Sequence, residues 1–187
     1  MNRYGSRVYG SARPDSDEDW IVVDPDQQEE VLQRHHEGAA DVTSYSLAEF
    51  QRMIHAHEVG ALECLLLPPE HILQQDHQFD WVLDPEALRR SFAAKASHAW
   101  VKARKKLAVE HELRLAQKSL FHALRILHYG IQIASTGRVT DWGVANPYLA
   151  EVEALAPEWS VWDAAFRERN NALRTEFRRS APLDPNK

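Results

Sequence analysis

The sequence predicts an α+β protein, with an α/β arrangement in its first half and a bundle of helices in its second half. Three observations favour this fold class. Short runs rich in β-branched and aromatic residues, bounded by turn residues, occupy the first half. Long segments with helical periodicity and cap residues occupy the second half. The chain has 187 residues, 44% of them hydrophobic, which is enough to bury a core in one domain or two small ones.

The first half contains three candidate strands and one candidate helix. The segment DWIVV, residues 19–23, predicts a short strand that ends at the DPD turn, and ADVTSYS, residues 40–46, predicts a second strand. Ser46 and Glu49 form an S-x-x-E capping box, which predicts a helix over LAEFQRMIHAH. The apolar stripe of that helix consists of Leu47, Phe50, Met53 and Ile54. ALECLLLPP, residues 61–69, predicts a third, buried strand that the two prolines end.

The second half predicts four helices. LDPEALRR begins the first of them, with Pro85 in its opening turn, and the helical pattern continues through Lys106. A second long helix covers HELRLAQKSLFHALRILHYGIQIASTG and ends at Gly137. NPYLAEVEAL and EWSVWDAAFRERNNALRTEFRR predict two more. We therefore expect an α/β unit over residues 1–84, a helical bundle over residues 85–180 and a frayed tail over residues 181–187.

Charge is segregated along the chain, beneath a net charge of −6. Residues 1–88 contain 5 Lys and Arg against 18 Asp and Glu, whereas residues 89–118 contain 9 against 2. The acidic first half argues against broad coating by nucleic acid. The basic segment Arg89–Lys118 is either a solvated helix face or a surface for polyphosphate or a nucleic-acid backbone.

Several sequence features bear on the compartment. There is no apolar run of about 18 residues and no signal sequence, so we expect a cytoplasmic protein without a membrane partner. The single cysteine, Cys64, sits in the apolar run LECLLLP and is interpreted as a small buried hydrophobe.

The acidic stretch SDED leads directly into the first predicted strand and supplies candidate metal ligands. Residues two apart in a strand lie about 6.5–7 Å apart on one face, so Asp17 and Asp19 are expected to point the same way. Two such carboxylates can reach a pair of Mg²⁺ ions, the arrangement used in phosphoryl transfer. Asp41, at the start of the second strand, supplies a third carboxylate if the two strands are neighbours. The alternative interpretation is an ordinary polar turn before a strand.

Two further groups of residues are candidates for binding phosphate. Gly5 and Ser6 can present backbone N–H groups and a hydroxyl to phosphate oxygens. Lys118, His122 and Arg125, spaced by four and three, lie on one helical face. They either contact a triphosphate, where cations neutralise the charge on the leaving group, or form a polar seam between helices.

At this point the residues resemble a family. The stretch GSRVYGSARPDSDEDWIVV resembles the signature of the DNA polymerase beta-like nucleotidyltransferase superfamily, a Gly-Ser pair followed by Asp-x-Asp on a strand. Within it, the chain is similar to small bacterial and phage predicted nucleotidyltransferases, which carry segments like DVTSYSLAEFQRMI, ALECLLLPP and KSLFHALRIL. The resemblance implies a mixed sheet flanked by helices and dependence on Mg²⁺ or Mn²⁺. It also implies transfer of a nucleoside monophosphate from a nucleoside triphosphate such as ATP to an acceptor hydroxyl, with release of pyrophosphate.

The resemblance also implies roles for individual residues. The metal ligands would be Asp17, Asp19 and Asp41, and the triphosphate would be held by Gly5, Ser6 and Ser16. The acceptor stays open between a nucleic-acid 3′ end bound through the basic segment Arg89–Lys118, a protein hydroxyl and a small molecule.

The chain departs from the family before the Gly-Ser pair. Family members have an apolar strand there, whereas only MNRY precedes Gly5 in this chain, so the first strand is expected to be a stub unless the recorded start lies inside the reading frame. A stub would leave the triphosphate loop poorly anchored. The second hypothesis is accordingly a non-catalytic nucleotide-binding or toxin-neutralising partner that keeps the fold, and a third is a structural helical protein that binds no triphosphate.

Overall fold

The structure, a computed structural model, describes residues 1–27, 33–37 and 40–182, with residues 33–37 described as backbone only. The chain divides into two compact units, Met1–Val82 and Leu83–Lys187. The prediction from sequence placed this division after residue 84. Because the strands lie in the first unit and the long helices lie in the second, the fold is α+β.

Within the described residues, the first unit holds a mixed sheet of four strands in the order β1-β2-β4-β3. These strands are β1 (Asn2–Tyr4), β2 (Glu18–Asp24), β3 (Gln33–Glu37) and β4 (Ala40–Ser46). Strand β2 runs parallel to β4, while β1 and β3 pair antiparallel with β2 and β4 respectively. The predicted strands over residues 19–23 and 40–46 are confirmed as β2 and β4. Strand β1 is the stub expected before Gly5, whereas β3 was not predicted, because QRHHE lacks the apolar residues that mark a strand.

The helix after β4 is confirmed. It is α2 (Leu47–His55), preceded by α1 (Ser6–Tyr9) nearer the start of the chain. The Ser46 side chain accepts a hydrogen bond from the Glu49 backbone N–H at 3.2 Å, which is one half of the predicted capping box. The Glu49 carboxylate pairs instead with Arg52 on the helix surface, at 2.7 Å from its Nε. Three residues of the predicted apolar stripe are buried: Phe50, Met53 and Ile54.

The predicted third strand is wrong. Residues 61–69 belong mostly to a helix, α3 (Val59–Leu65), followed by a short 3₁₀ helix, Pro69–His71. A continuous apolar run suits a buried helix as well as a buried strand, so its hydrophobicity did not distinguish them. Composition favoured the helix, because the run from Ala61 to Leu67 consists of Ala, Leu, Glu and Cys without one β-branched residue. Cys64, on α3, is buried as expected, and burial raises the pKa of its thiol, with the neighbouring Glu63 adding to the effect.

The second unit contains the four predicted helices, which are confirmed as α4 (Pro85–Ala108), α5 (Leu113–Thr136), α6 (Asn146–Ala154) and α7 (Trp159–Ser180). The carboxylate of Asp84 caps α4 by accepting hydrogen bonds from the N–H groups of Glu86 and Ala87, at 2.9 and 3.2 Å. Gly137 ends α5 in the left-handed conformation, as the sequence predicted.

The core of the second unit is mainly apolar and includes a close approach between two helices. The largest side chains enclosed in it are aromatic or leucine, and include Trp162, Phe92, Phe166 and Phe177. At Gly130 of α5, a Cβ atom would lie 2.6 Å from the ring of Phe177 on α7, so only the hydrogen of glycine leaves room for that ring. No helix in the described part of the chain combines the length and apolar character that crossing a membrane requires.

Candidate functional site

The register of the sheet places two of the predicted carboxylates side by side. Asp19 of β2 is the direct partner of Asp41 in the parallel strand β4. Neighbouring strands are about 4.8 Å apart, and paired residues in a parallel ladder project to the same face. Both residues are half-buried, and the Oδ1 atom of Asp41 is enclosed by protein. The strands that carry the two acids are thus neighbours, which was the condition for these carboxylates to converge.

Asp17 occupies a different position from the one expected. Strand β2 begins at Glu18, so Asp17 lies one residue before the strand and is exposed. The reason is a tight turn immediately upstream. The Ser16 hydroxyl accepts a hydrogen bond from the Arg13 N–H at 2.8 Å, and the Arg13 carbonyl accepts one from the Ser16 N–H at 3.0 Å. Extended pairing therefore starts after Asp17, and the strand itself contains only Asp19 of the pair.

The Gly-Ser pair lies directly against the Asp19 carboxylate. Gly5, which precedes α1, has φ 76° and ψ −153°, a backbone region that essentially only glycine occupies. A Cβ atom at Gly5 would lie 1.9 Å from Asp19 Oδ2 and 2.7 Å from Asp19 Cγ. Both the conformation and the space at this position therefore require glycine. The close approach joins the candidate phosphate loop to a candidate metal ligand, although the two residues are 14 positions apart in the chain.

A buried carboxylate on α3 holds both ends of this loop. We call residues 4–9, which comprise the end of β1, Gly5 and α1, the glycine-serine loop. The hydroxyls of Tyr4 and Tyr9 each donate a hydrogen bond of 2.8 Å to Oε2 of Glu63. The Glu63 side chain is fully buried, and the two rings meet edge to face with centroids 6.0 Å apart. One carboxylate thus fixes the residue before Gly5 and the last residue of α1.

Strand β1 is short, as the sequence predicted, and is held on both sides. Its residues Asn2 and Tyr4 pair with Ile21 and Asp19 of β2. On its other edge, Asn2 forms a bridge with Ile72. The expectation that a stub strand would leave the loop poorly anchored overlooked these contacts and Glu63. The signal available in the sequence was one acid inside an apolar run, together with a tyrosine on each side of the Gly-Ser pair.

A guanidinium connects the glycine-serine loop to the turn before β2. Arg7 Nη2 donates a hydrogen bond of 3.0 Å to the carbonyl oxygen of Ser16, and Arg7 Nε lies 3.6 Å from Oε1 of Glu18. Because Arg7 is partly exposed, the ion pair contributes little to stability. Its effect is positional, since it keeps Ser16 and the start of β2 next to α1.

Lys118, His122 and Arg125 lie on α5, in the helical unit. Lys118 is exposed, whereas Arg125 is buried and donates a hydrogen bond of 3.3 Å from its Nε to His122 Nδ1. The Arg125 guanidinium also lies over the ring of Tyr129, 4.8 Å from its centroid. Burial lowers the pKa of His122 well below its ordinary value, and nearby cations lower it further. Two of the three residues therefore contact each other, and the imidazole stays neutral.

The donor chemistry of Asp19 and Asp41 fits a hard divalent cation, because Mg²⁺ and Mn²⁺ prefer carboxylate oxygens. Within the ranges that the structure describes, no group of three or more metal-ligating side chains is assembled. Two carboxylates, those of Asp19 and Asp41 on neighbouring strands, therefore fit a divalent cation. Asp17 lies two residues before Asp19, at an exposed position outside the strand.

Comparison with known proteins adds no relative. No family model matches the chain, no curated protein matches it, and no solved structure matches it.

Proposed function

We propose that the chain is a metal-dependent nucleotidyltransferase, which transfers a nucleoside monophosphate from a nucleoside triphosphate to an acceptor hydroxyl and releases pyrophosphate. One observation supports this proposal above the others. The glycine-serine loop, held by Glu63, lies against Asp19, and Asp19 pairs in register with Asp41. A loop suited to phosphate oxygens beside two carboxylates is the combination that nucleotidyl transfer requires.

In this proposal, Asp19 and Asp41 would hold Mg²⁺ or Mn²⁺, and Asp17 would supply the third carboxylate. The metal supplies Lewis-acid stabilisation of the charge that develops on the phosphate oxygens. Backbone N–H groups at Gly5 and the Ser6 hydroxyl bind the triphosphate, and Ser16 assists them from the neighbouring turn. One oxygen of Asp41 accepts the proton of the attacking hydroxyl.

The rigidity of the glycine-serine loop would favour binding of the triphosphate. Because Tyr4 and Tyr9 share one buried acceptor, the N–H groups between them keep their direction when a ligand binds. A loop that is already ordered loses less entropy on binding and orients the α-phosphate for in-line attack.

The helical unit offers an exposed cation of its own. Lys118 on α5 can meet a phosphate group, whereas Arg125 is buried and bonded to His122, which favours the polar seam between helices for those two residues. A nucleic-acid acceptor would use the basic segment Arg89–Lys118, and its binding would weaken steeply with added salt.

The test is incorporation of labelled nucleotide. The purified chain is incubated with each nucleoside triphosphate, Mg²⁺ or Mn²⁺, and a panel of DNA, RNA and protein acceptors. Replacing Asp17 and Asp19 by Asn is expected to reduce incorporation by about a hundredfold or more, since these charges act in the transition state. The matched control is Asp26→Asn, an exposed carboxylate beyond the opposite end of β2, which is expected to retain activity. Full activity in a pure sample of the double variant would refute the proposal.

A second candidate is a nucleotide-binding partner without turnover, in which the same loop holds a triphosphate. The exposed position of Asp17 outside β2 favours it, because the two register-paired acids then act without a third. Calorimetric titration with nucleoside triphosphates in Mg²⁺, alongside an assay for released pyrophosphate, separates the candidates. If the chain binds a nucleoside triphosphate but releases no pyrophosphate with any acceptor, the result supports the second candidate.

A further inference from the structure

A cavity in the helical unit is surrounded by arginines. It has a volume of about 380 Å³ and lies between α4 and α7. Its charged lining consists of Glu86, Arg89, Arg90, Arg174 and Arg178. Four guanidinium groups and one carboxylate leave three net positive charges around a space large enough for a small ligand.

In the part of the chain that the structure describes, carboxylates do not neutralise these arginines. Among the described residues, none of the four forms an ion pair with Asp or Glu, and Glu86 lies beyond ion-pair distance of them. Their hydrogen bonds go to uncharged oxygens instead. Arg89 donates to the carbonyl of Ala181 at 3.2 Å, Arg174 to the Ser97 hydroxyl at 3.1 Å, and Arg178 to the Thr175 hydroxyl at 2.9 Å.

Other arginines on α7 are paired with carboxylates, unlike those around the cavity. Arg167 pairs with Asp163 and Arg169 pairs with Glu151, both on the surface of the helical unit. On the neighbouring surface, carboxylates therefore balance the arginines, whereas the cluster around the cavity keeps an excess of positive charge. Burial lowers the pKa of Arg174, and repulsion from Arg178 lowers it further, so an anion between them would relieve an unfavourable arrangement.

The rest of the cavity lining is apolar. It consists of Ala93 and of Phe177, whose side chain is 1% exposed and packs against Gly130 in the core. Apolar lining offers water no hydrogen-bond partners, which strengthens charge-assisted hydrogen bonds made by the neighbouring guanidinium groups. Because the ring of Phe177 is enclosed, it offers no face on which a nucleic-acid base can stack.

We propose that this cavity binds a compact anion with two or more phosphoryl groups. A single phosphate group carries a charge of about −1.5 to −2 at neutral pH, so two groups match the three net positive charges better than one. Guanidinium groups bind phosphate oxygens through paired N–H donors. The four arginines gather around one cavity and do not follow a line along the surface, which favours a small anion over an extended nucleic acid.

The test is calorimetric titration of the full chain with pyrophosphate, at constant ionic strength and with EDTA present. EDTA removes divalent cations, so the carboxylates of the α/β unit do not contribute through a metal. Wild type is expected to bind pyrophosphate at least about tenfold more tightly in this buffer than Arg174→Gln/Arg178→Gln. The matched control, Arg179→Gln, removes an exposed charge that does not line the cavity, and is expected to bind like wild type.

Two additional measurements keep the result clear. If the double variant has a lowered unfolding midpoint, Arg90→Gln replaces it, because Arg90 is exposed and its loss does not disturb the core. Titration with inorganic phosphate and with a single-stranded oligonucleotide compares the alternatives. Equal weakening by Arg179→Gln, or tighter binding of the oligonucleotide than of pyrophosphate, would overturn the proposal. Asp17→Asn/Asp19→Asn is expected to bind pyrophosphate normally here, so failure of the nucleotidyltransferase assignment leaves this inference separately testable.

Discussion

The two units of the chain use buried polar groups in different ways. In the α/β unit, the fully buried Glu63 carboxylate accepts hydrogen bonds from two tyrosines that lie on either side of Gly5, whose backbone conformation suits only glycine. In the helical unit, the interior consists mainly of aromatic and aliphatic side chains, with Arg125 as its one buried charge among the described residues, and its charged cavity lies at the surface between two helices. The α/β unit places a few atoms accurately, whereas the helical unit fills a volume.

This difference indicates which kind of substitution destabilises each unit. Hydrogen-bonded networks fail when one partner is removed, because a buried donor or acceptor then loses its solvation without replacement. Apolar cores fail when volume changes, because close packing leaves no room for additional atoms. We therefore expect changes of a few atoms to act through geometry in the first unit and through packing in the second.

The largest effect is expected for Gly5→Ala. The added Cβ would overlap Asp19 Oδ2, and alanine is strained at φ 76° and ψ −153°. We expect a loss of about 3–5 kcal/mol in the free energy of unfolding, measured by chemical denaturation. The control is Gly137→Ala in the helical unit, which has φ 74° but no atom within 4 Å of the added Cβ. Strain alone predicts a loss of about 1–2 kcal/mol there, and equal losses at both positions would contradict the clash.

Glu63→Leu is expected to have the next largest effect. The substitution removes the acceptor shared by Tyr4 and Tyr9 without opening a large cavity. We expect about 1–3 kcal/mol of destabilisation and faster amide hydrogen exchange in the glycine-serine loop. Glu63→Gln keeps one acceptor oxygen and should lose less. Unchanged exchange in both variants would show that Glu63 does not position the loop.

A smaller effect, from packing alone, is expected for Gly130→Ala in the helical unit. Its Cβ would lie 2.6 Å from the Phe177 ring, which is buried and cannot move into solvent. We expect a loss of about 1–2 kcal/mol, because one methyl group overfills the space. Combining it with Phe177→Leu makes room for the methyl group. The double variant should therefore be more stable than the sum of the two single losses implies, and simple additivity would contradict the contact.

The smallest expected effect concerns pH and His122. Burial lowers its pKa, and four cations lower it further: Arg125 and Lys118 on α5, and Lys102 and Lys95 on α4. As pH falls through 6.5, the ordinary pKa, His122 takes up a proton in the unfolded chain but stays neutral in the folded chain. Protonation therefore stabilises the unfolded chain, and the free energy of unfolding decreases as pH falls below 6.5.

His122→Asn removes that proton and keeps an acceptor for Arg125. Between pH 7.5 and 5.5 the variant should lose less stability than wild type, as measured by urea denaturation at each pH. The exposed His98, also in the helical unit, provides the comparison, and His98→Asn should follow wild type. A variant of His122 that loses stability as steeply as wild type would contradict a depressed pKa.

The sequence allowed most of the elements to be predicted. Capping residues such as Ser46, Asp84 and Gly137 act within one turn of the chain, so their role is readable locally. Strands β2 and β4 were recognisable because their own residues favour extended structure. Strand β3 was not, because its polar residues QRHHE extend only by pairing with β4.

The candidate site was predictable in part. The positions of Gly5, Ser6 and Asp19 followed from a local pattern, and Asp41 followed from the assumption that two strands are neighbours. Glu63 was missed because its run was interpreted as a strand, and helix α3 turns the carboxylate towards two tyrosines more than 50 residues away in the chain. Asp17 was placed in the strand because the turn around Ser16 depends on a hydrogen bond that composition does not indicate.

The sequence by itself determined the helices of the second unit, two strands of the first, the segregation of charge and the Gly-Ser pattern from which a phosphate loop was predicted. These features depend on residues within a few positions of each other, where propensity, periodicity and capping act. Only the tertiary structure decided that Gly5 touches Asp19, that Asp19 pairs with Asp41, that Glu63 holds the loop and that four arginines surround one cavity. The physical reason is that each of these contacts joins residues distant in the chain, so it exists only once strands have paired and helices have packed.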